Sequence, residues 1–101
     1  MIRELAQFTI AAGREAEFEQ SMLRAREVVA AAPGFVSIEY WRGIERPQVY
    51  TLVITWDSVE AHVDGFRASE SFEEWKALTR PYFDGDVSME HFDIVGELYT
   101  A

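Results

Sequence analysis

The sequence predicts an α+β domain with the ferredoxin-like order β-α-β-β-α-β, and three observations carry the prediction. Residues 35–42 and 49–56 are apolar on both alternating faces, as strands are when each side is covered. Apolar side chains recur at Phe18, Met22, Ala25, Val29 and Ala32, the spacing of an amphipathic helix seam. Glycines and prolines then fall between the periodic segments, where turns are needed.

Taken in order, residues 2–11 alternate as a strand, with Ile2, Ala6, Phe8 and Ile10 on one side and Gly13 as the break. The helix of residues 14–32 leaves Glu17, Glu19, Arg24 and Glu27 for solvent and stops at Pro33-Gly34. In the second strand, Phe35 and Trp41 are expected on one face and Val36, Ile38 and Tyr40 on the other. Residues 43–48 return the chain as a hairpin-like loop. The third strand sets Val49 and Val53 opposite Tyr50, Leu52, Ile54 and Trp56. Asp57-x-x-Glu60 and Ser71-x-x-Glu74 read as capping boxes for two short helices, about residues 58–64 and 69–79, with Gly65 between them and Pro81 closing the second. Asp84-Gly85-Asp86 is a polar turn without the full calcium-loop pattern. Residues 88–95 form a last strand, with Phe92 and Ile94 opposite Met89, His91 and Val95. Doubly apolar strands need a second covering layer, which this chain has no strands left to build. A homodimer supplies it, and the apolar tail of residues 96–101 is placed to reach a neighbour.

Composition bounds the function. The chain of 101 residues is read as a single domain over 1–101. It has no cysteine, so thiolate metal sites and cysteine nucleophiles are excluded. Its net charge is −9, with −1 in residues 1–50 and −8 in residues 51–101, and there is no basic cluster. Such a chain suits neither nucleic acid nor an anionic membrane surface. With no signal-like start and no apolar run of spanning length, a cytoplasmic location is expected.

Chemistry is expected in Trp56–Trp75, WDSVEAHVDGFRASESFEEW, which begins where the third strand ends and holds one of two histidines. His62 is the candidate catalytic residue, since a neutral imidazole accepts a proton from a phenol or an acidic carbon; the alternative is a local hydrogen-bonding role. Trp56 either stacks on a flat substrate or belongs to the core. Phe66, Phe72 and Trp75 read as core or pocket wall. His91 lines a cavity or faces a partner. Lys76, Arg67 and Arg80 stand out in the acidic half, where they read as charges that screen neighbouring carboxylates, with Lys76 or Arg67 the candidate for stabilising an anion. A metal site would require His62 and His91 to converge with a carboxylate.

The segments Phe8–Phe18 with its Gly13-Arg14-Glu15, Ala32-Pro33-Gly34-Phe35, Trp56-Asp57-Ser58-x-Glu60-Ala61-His62, Phe66-Arg67-x-Ser69 and Phe72-x-x-Trp75 together resemble the antibiotic biosynthesis monooxygenase family of dimeric α+β barrels. The resemblance implies an oxidoreductase that needs no cofactor and oxidises a small aromatic, quinol or anthrone-type polyketide with O2. It implies catalytic roles at Trp56, at His62 in place of a tyrosine, and at Lys76 near an arginine; the family's amide position is Leu52 here. Phe66, Arg67, Phe72, Trp75 and His91 would bind substrate. The haem-degrading branch is an alternative, but its asparagine, tryptophan and iron-ligating histidine fall at about Ala6, Gly65 and Trp75-Lys76. A non-catalytic small-molecule-binding dimer is the third reading.

Overall fold

Alternation along the first strand sets the layout of the molecule. In the computed structural model, which describes Met1–Ala101, β1 (Ile2–Thr9) lies between β3 (Val49–Trp56) and β4 (Ser88–Asp93), with β2 (Phe35–Arg42) beyond β3. All neighbouring pairs are antiparallel. The register pairs Phe8 with Tyr50, Ala6 with Leu52 and Ile2 with Trp56, so the even positions of both central strands share one face. That face is covered by α1 (Glu15–Ala30) and α2 (Glu70–Thr79), as the ferredoxin-like arrangement requires.

The core lies between these two layers. Phe18, Met22, Ala25 and Val29 of α1 are buried, as their spacing predicts, together with Ser21, whose hydroxyl donates to the Leu78 carbonyl of α2 at 2.6 Å. Phe18 meets Phe8 edge-on at 5.5 Å and Tyr50 at 5.1 Å, while Phe8 stacks on Phe83 at 4.3 Å. Truncating a fully buried phenylalanine such as Phe18 costs roughly 3–5 kcal/mol. Tyr50 ties the layers by a different bond: its hydroxyl donates to Glu19 at 2.5 Å.

Four local expectations are corrected. A bulge between Phe35 and Ser37 shifts the register of β2, so Phe35 packs edge-on against Trp56 at 6.0 Å and does not share the face of Trp41. Neither predicted capping box caps a helix. Ser58 Oγ instead accepts the Ala61 N–H, and Ser71 lies inside α2, which begins at Glu70 after Ser69. Gly65 is no break: it sits within a π-helical turn (Ala61–Phe66) that takes the place of the first short helix. β4 ends at Asp93.

Gly34 fixes how β2 approaches this turn. Its φ of +85° is open to glycine, and a Cβ there would stand 2.6 Å from the Cβ of Ala61. The Gly34 carbonyl accepts the Asp57 N–H at 2.8 Å, which closes the end of β3. On the helix-free side of the sheet, Trp41 and Phe92 are about half exposed, and residues 94–101 carry no regular structure.

Candidate active site

The sheet contributes a carboxylate where its pattern calls for an apolar side chain. Glu4 shares the parity of Ile2, Ala6 and Phe8, and is only 7% exposed. Its register partner on β4 is His91, and Trp56 stands opposite Ile2 on β3, two pairs along. From above, the π-helical turn lowers His62 onto the same spot.

The turn explains why three of its residues point one way. Its closing bond runs from the Arg67 N–H to the His62 carbonyl at 2.8 Å, one residue longer than an α-helical bond. That widening lets His62, Phe66 and Arg67 all reach the space beneath, whereas an α-helix would rotate the last of them aside. Ser69 Oγ donates to the Phe66 carbonyl at 2.6 Å and fixes the exit into α2.

The polar groups form a chain. Trp56 Nε1–H donates to Glu4 Oε1 at 3.0 Å, and His62 Nε2 lies 3.2 Å from the same oxygen. On the other side of the imidazole, His62 Nδ1 lies 2.8 Å from His91 Nε2. The Trp56 and His62 rings stack at 5.3 Å and 21°. Because Glu4 and His91 meet opposite nitrogens of one ring, the three groups cannot face a common ion, and they constitute a relay in geometry.

Burial decides the charges. It lowers the His62 imidazole to about 4, with His91 and Arg67 adding positive neighbours that act in the same direction. It also pushes the Glu4 carboxyl upward, against the opposing pull of the Trp56 N–H and Arg67. The Glu4–His62 contact is therefore a hydrogen bond to a neutral imidazole at neutral pH. With the ring proton on Nε2, His62 donates to Glu4 and accepts from His91. With the proton on Nδ1 it donates to His91 and accepts from a protonated Glu4. Switching between these states carries one proton along the chain.

Beside the chain lies a cavity of about 150 Å³ between the sheet and α2. Glu4 and His62 line it, with an aromatic wall of Phe66, Phe72 and Trp75 and the guanidinium of Arg67. Both contacts of Glu4 use Oε1. No fully buried side-chain oxygen lacks a partner, so Oε2 opens toward the cavity.

The structure thus brings Phe66, Arg67, Phe72, Trp75 and His62 to one space and places His91 behind His62. Trp56 is fully buried and stands behind Glu4, outside the cavity wall. Lys76 also lies outside the lining: it pairs with Glu73 at 3.0 Å and sits 5.1 Å above the Phe72 ring. Sequence reasoning missed Glu4, Thr79, Arg80, Phe83 and Met89 as lining residues. For Glu4 a signal existed, since a charge on the apolar parity of a strand is either paired or functional.

A model of the antibiotic biosynthesis monooxygenase family matches residues 1–78. Uncharacterized protein YczJ of Bacillus subtilis (strain 168) is 33% identical over 95 residues, which span 94% of this chain and 100% of that one. Among solved structures, an antibiotic biosynthesis monooxygenase homologue from Bordetella bronchiseptica has a TM-score of 0.90 and 37% identity, over 93% of this chain and 96% of that one. SnoaB, a cofactor-independent oxygenase of Streptomyces nogalater, has a TM-score of 0.82 over 96% of this chain and 95% of that one. At 23% identity, that second likeness is one of fold.

Proposed function

The chain belongs to the antibiotic biosynthesis monooxygenase family, and from that premise we propose that it is a cofactor-independent monooxygenase of a small aromatic or quinol. The observation that carries the reading is the buried Glu4–His62–His91 chain opening through Glu4 on an aromatic-walled cavity. A general base with a raised pKa in a dry pocket is what deprotonation of a phenol or an acidic ring carbon requires.

The ring's acidic O–H or C–H gives its proton to Glu4 Oε2. The resulting anion supplies both electrons of a new C–O bond to molecular oxygen. The peroxide takes its proton back from Glu4, and the C–H bond at the same carbon then breaks together with the O–O bond, which releases water and leaves one oxygen atom on the ring as a carbonyl. Both His62 nitrogens are occupied, so His62 does not touch substrate: before the reaction its Nε2 accepts the carboxyl proton from Glu4 Oε1 while its Nδ1 passes a proton to His91, which leaves Glu4 ionised. Half-buried His91 passes that proton on to water. Arg67 supplies positive charge for the substrate anion, the role that the family resemblance gives to Lys76. Trp56 holds the Glu4 carboxylate from behind.

The working unit in this reading is a homodimer. A second copy would cover Trp41 and Phe92 on the helix-free face and receive the exposed Val95, Leu98 and Tyr99 of the tail.

Oxygen uptake by metal-free and flavin-free protein, supplied with a panel of hydroquinones and anthrones, tests the reading. Substrate-dependent uptake that falls sharply in His62→Ala is expected. Uptake that is absent across the panel, beside a sharp absorbance shift on haemin titration, would transfer the reading to haem chemistry.

A further inference from the structure

The lining of the cavity carries a charge opposite to that of the chain. Its only charged residues are Glu4, Arg67 and Arg80, while the protein as a whole carries −9. Even with Glu4 ionised one positive charge is left over. Neither arginine has an ion-pair partner; the ion pairs use Arg14, Arg26, Arg42, His62 and Lys76. Arg67 and Arg80 are solvent-exposed and rest on the edge of the aromatic wall, Arg67 at 5.8 Å from the Phe72 ring and Arg80 at 5.9 Å from the Phe83 ring. They mark the open end of the space, and buried Glu4 and His62 mark its closed end.

Size narrows the class further. A cavity of about 150 Å³ holds one benzene-sized ring. We infer that the substrate is a single-ring phenol or quinol bearing an anionic substituent, its hydroxyl held at Glu4 and its anion held by Arg67 and Arg80 at the opening. A guanidinium recognises a carboxylate by charge-assisted hydrogen bonds, and positive charge at the opening alone favours the orientation that keeps the anion there. The inference rests on the monooxygenase reading for the fate of the ring, and on the cavity alone for its binding.

Calorimetric titration of the full chain with 2,5-dihydroxybenzoate, hydroquinone and anthrone separates these terms. The expected result is that the benzoate binds about tenfold or more tightly than hydroquinone, with anthrone weakest. The preference shrinks as salt is raised, and it falls to near one in the Arg67→Gln/Arg80→Gln variant. Equal binding of benzoate and hydroquinone, tightest binding of anthrone, no binding of any probe, or a preference that survives in the double variant overturns the inference. The salt series on the unmodified protein decides the matter if the variant does not fold. Oxygen uptake on the same samples keeps the two readings apart: benzoate that binds as expected but consumes no oxygen refutes the monooxygenase reading and leaves the anion-selective single-ring site standing.

Discussion

Glu4 and Trp56 meet across the two central strands, the indole N–H donating to the carboxylate at 3.0 Å from a position two pairs out of register. Diagonal neighbours on one sheet face are close enough for long side chains to touch. This bond anchors one carboxylate oxygen in the sheet and leaves the other free for the cavity.

Glu4→Gln keeps the shape and can still accept from Trp56, but cannot take a proton. The turnover number is expected to fall about 100-fold or more, with KM little changed and the far-ultraviolet circular dichroism intact. A variant with full turnover would remove Glu4 as the base.

Trp56→Phe separates holding from reacting. Without the N–H, one of the two influences that lower the Glu4 pKa is lost, so the acid limb of the rate–pH profile should move to higher pH. A lower rate with an unmoved limb would mean that Trp56 is only packing. Losing a buried bond should also cost roughly 1–3 kcal/mol of stability.

Protonation of His62 is linked to folding. Its pKa falls from 6.5 to about 4 in the folded state, so the unfolded chain binds more protons between those values. Its contribution is fully present above pH 6.5 and is lost as pH falls toward 4. Glu4, with its pKa raised, contributes in the opposite sense: stability present below the ordinary carboxylate range of 4.5 is lost as pH rises through its folded value. Melting temperature against pH should therefore flatten in His62→Gln below pH 6.5, and an unchanged slope would place the titration elsewhere.

His91→Ala cuts the relay at its outer end. Because His91 is only half-buried, added imidazole should restore part of a rate lowered about tenfold, as small bases do for a missing proton carrier at a solvent edge. Rates that do not respond to imidazole would indicate a packing role.

Gly34→Ala strains the backbone at φ +85° and drives a methyl against Ala61, next to His62. A loss of more than about 2 kcal/mol in urea unfolding is expected, together with lost activity. Gly13→Ala is the control: its φ is also +85° but nothing lies within 4 Å, so only the roughly 1–2 kcal/mol backbone cost should appear.

The sequence by itself determined the scaffold. Period-2 and period-3.6 spacing placed Ile2, Phe8, Phe18, Val29, Tyr50 and Trp56 in the core, and the order of elements dictated which strands become neighbours. It also located the cavity wall, because Phe66, Phe72 and Trp75 crowd one short stretch. Tertiary structure alone decided the chemistry. Glu4, His62 and His91 are far apart in the chain and converge only through strand register and the π-helical turn. That turn depends on a hydrogen bond one residue longer than the helical default, which no residue pattern announces. The protonation states follow from burial, and burial belongs to the assembled fold.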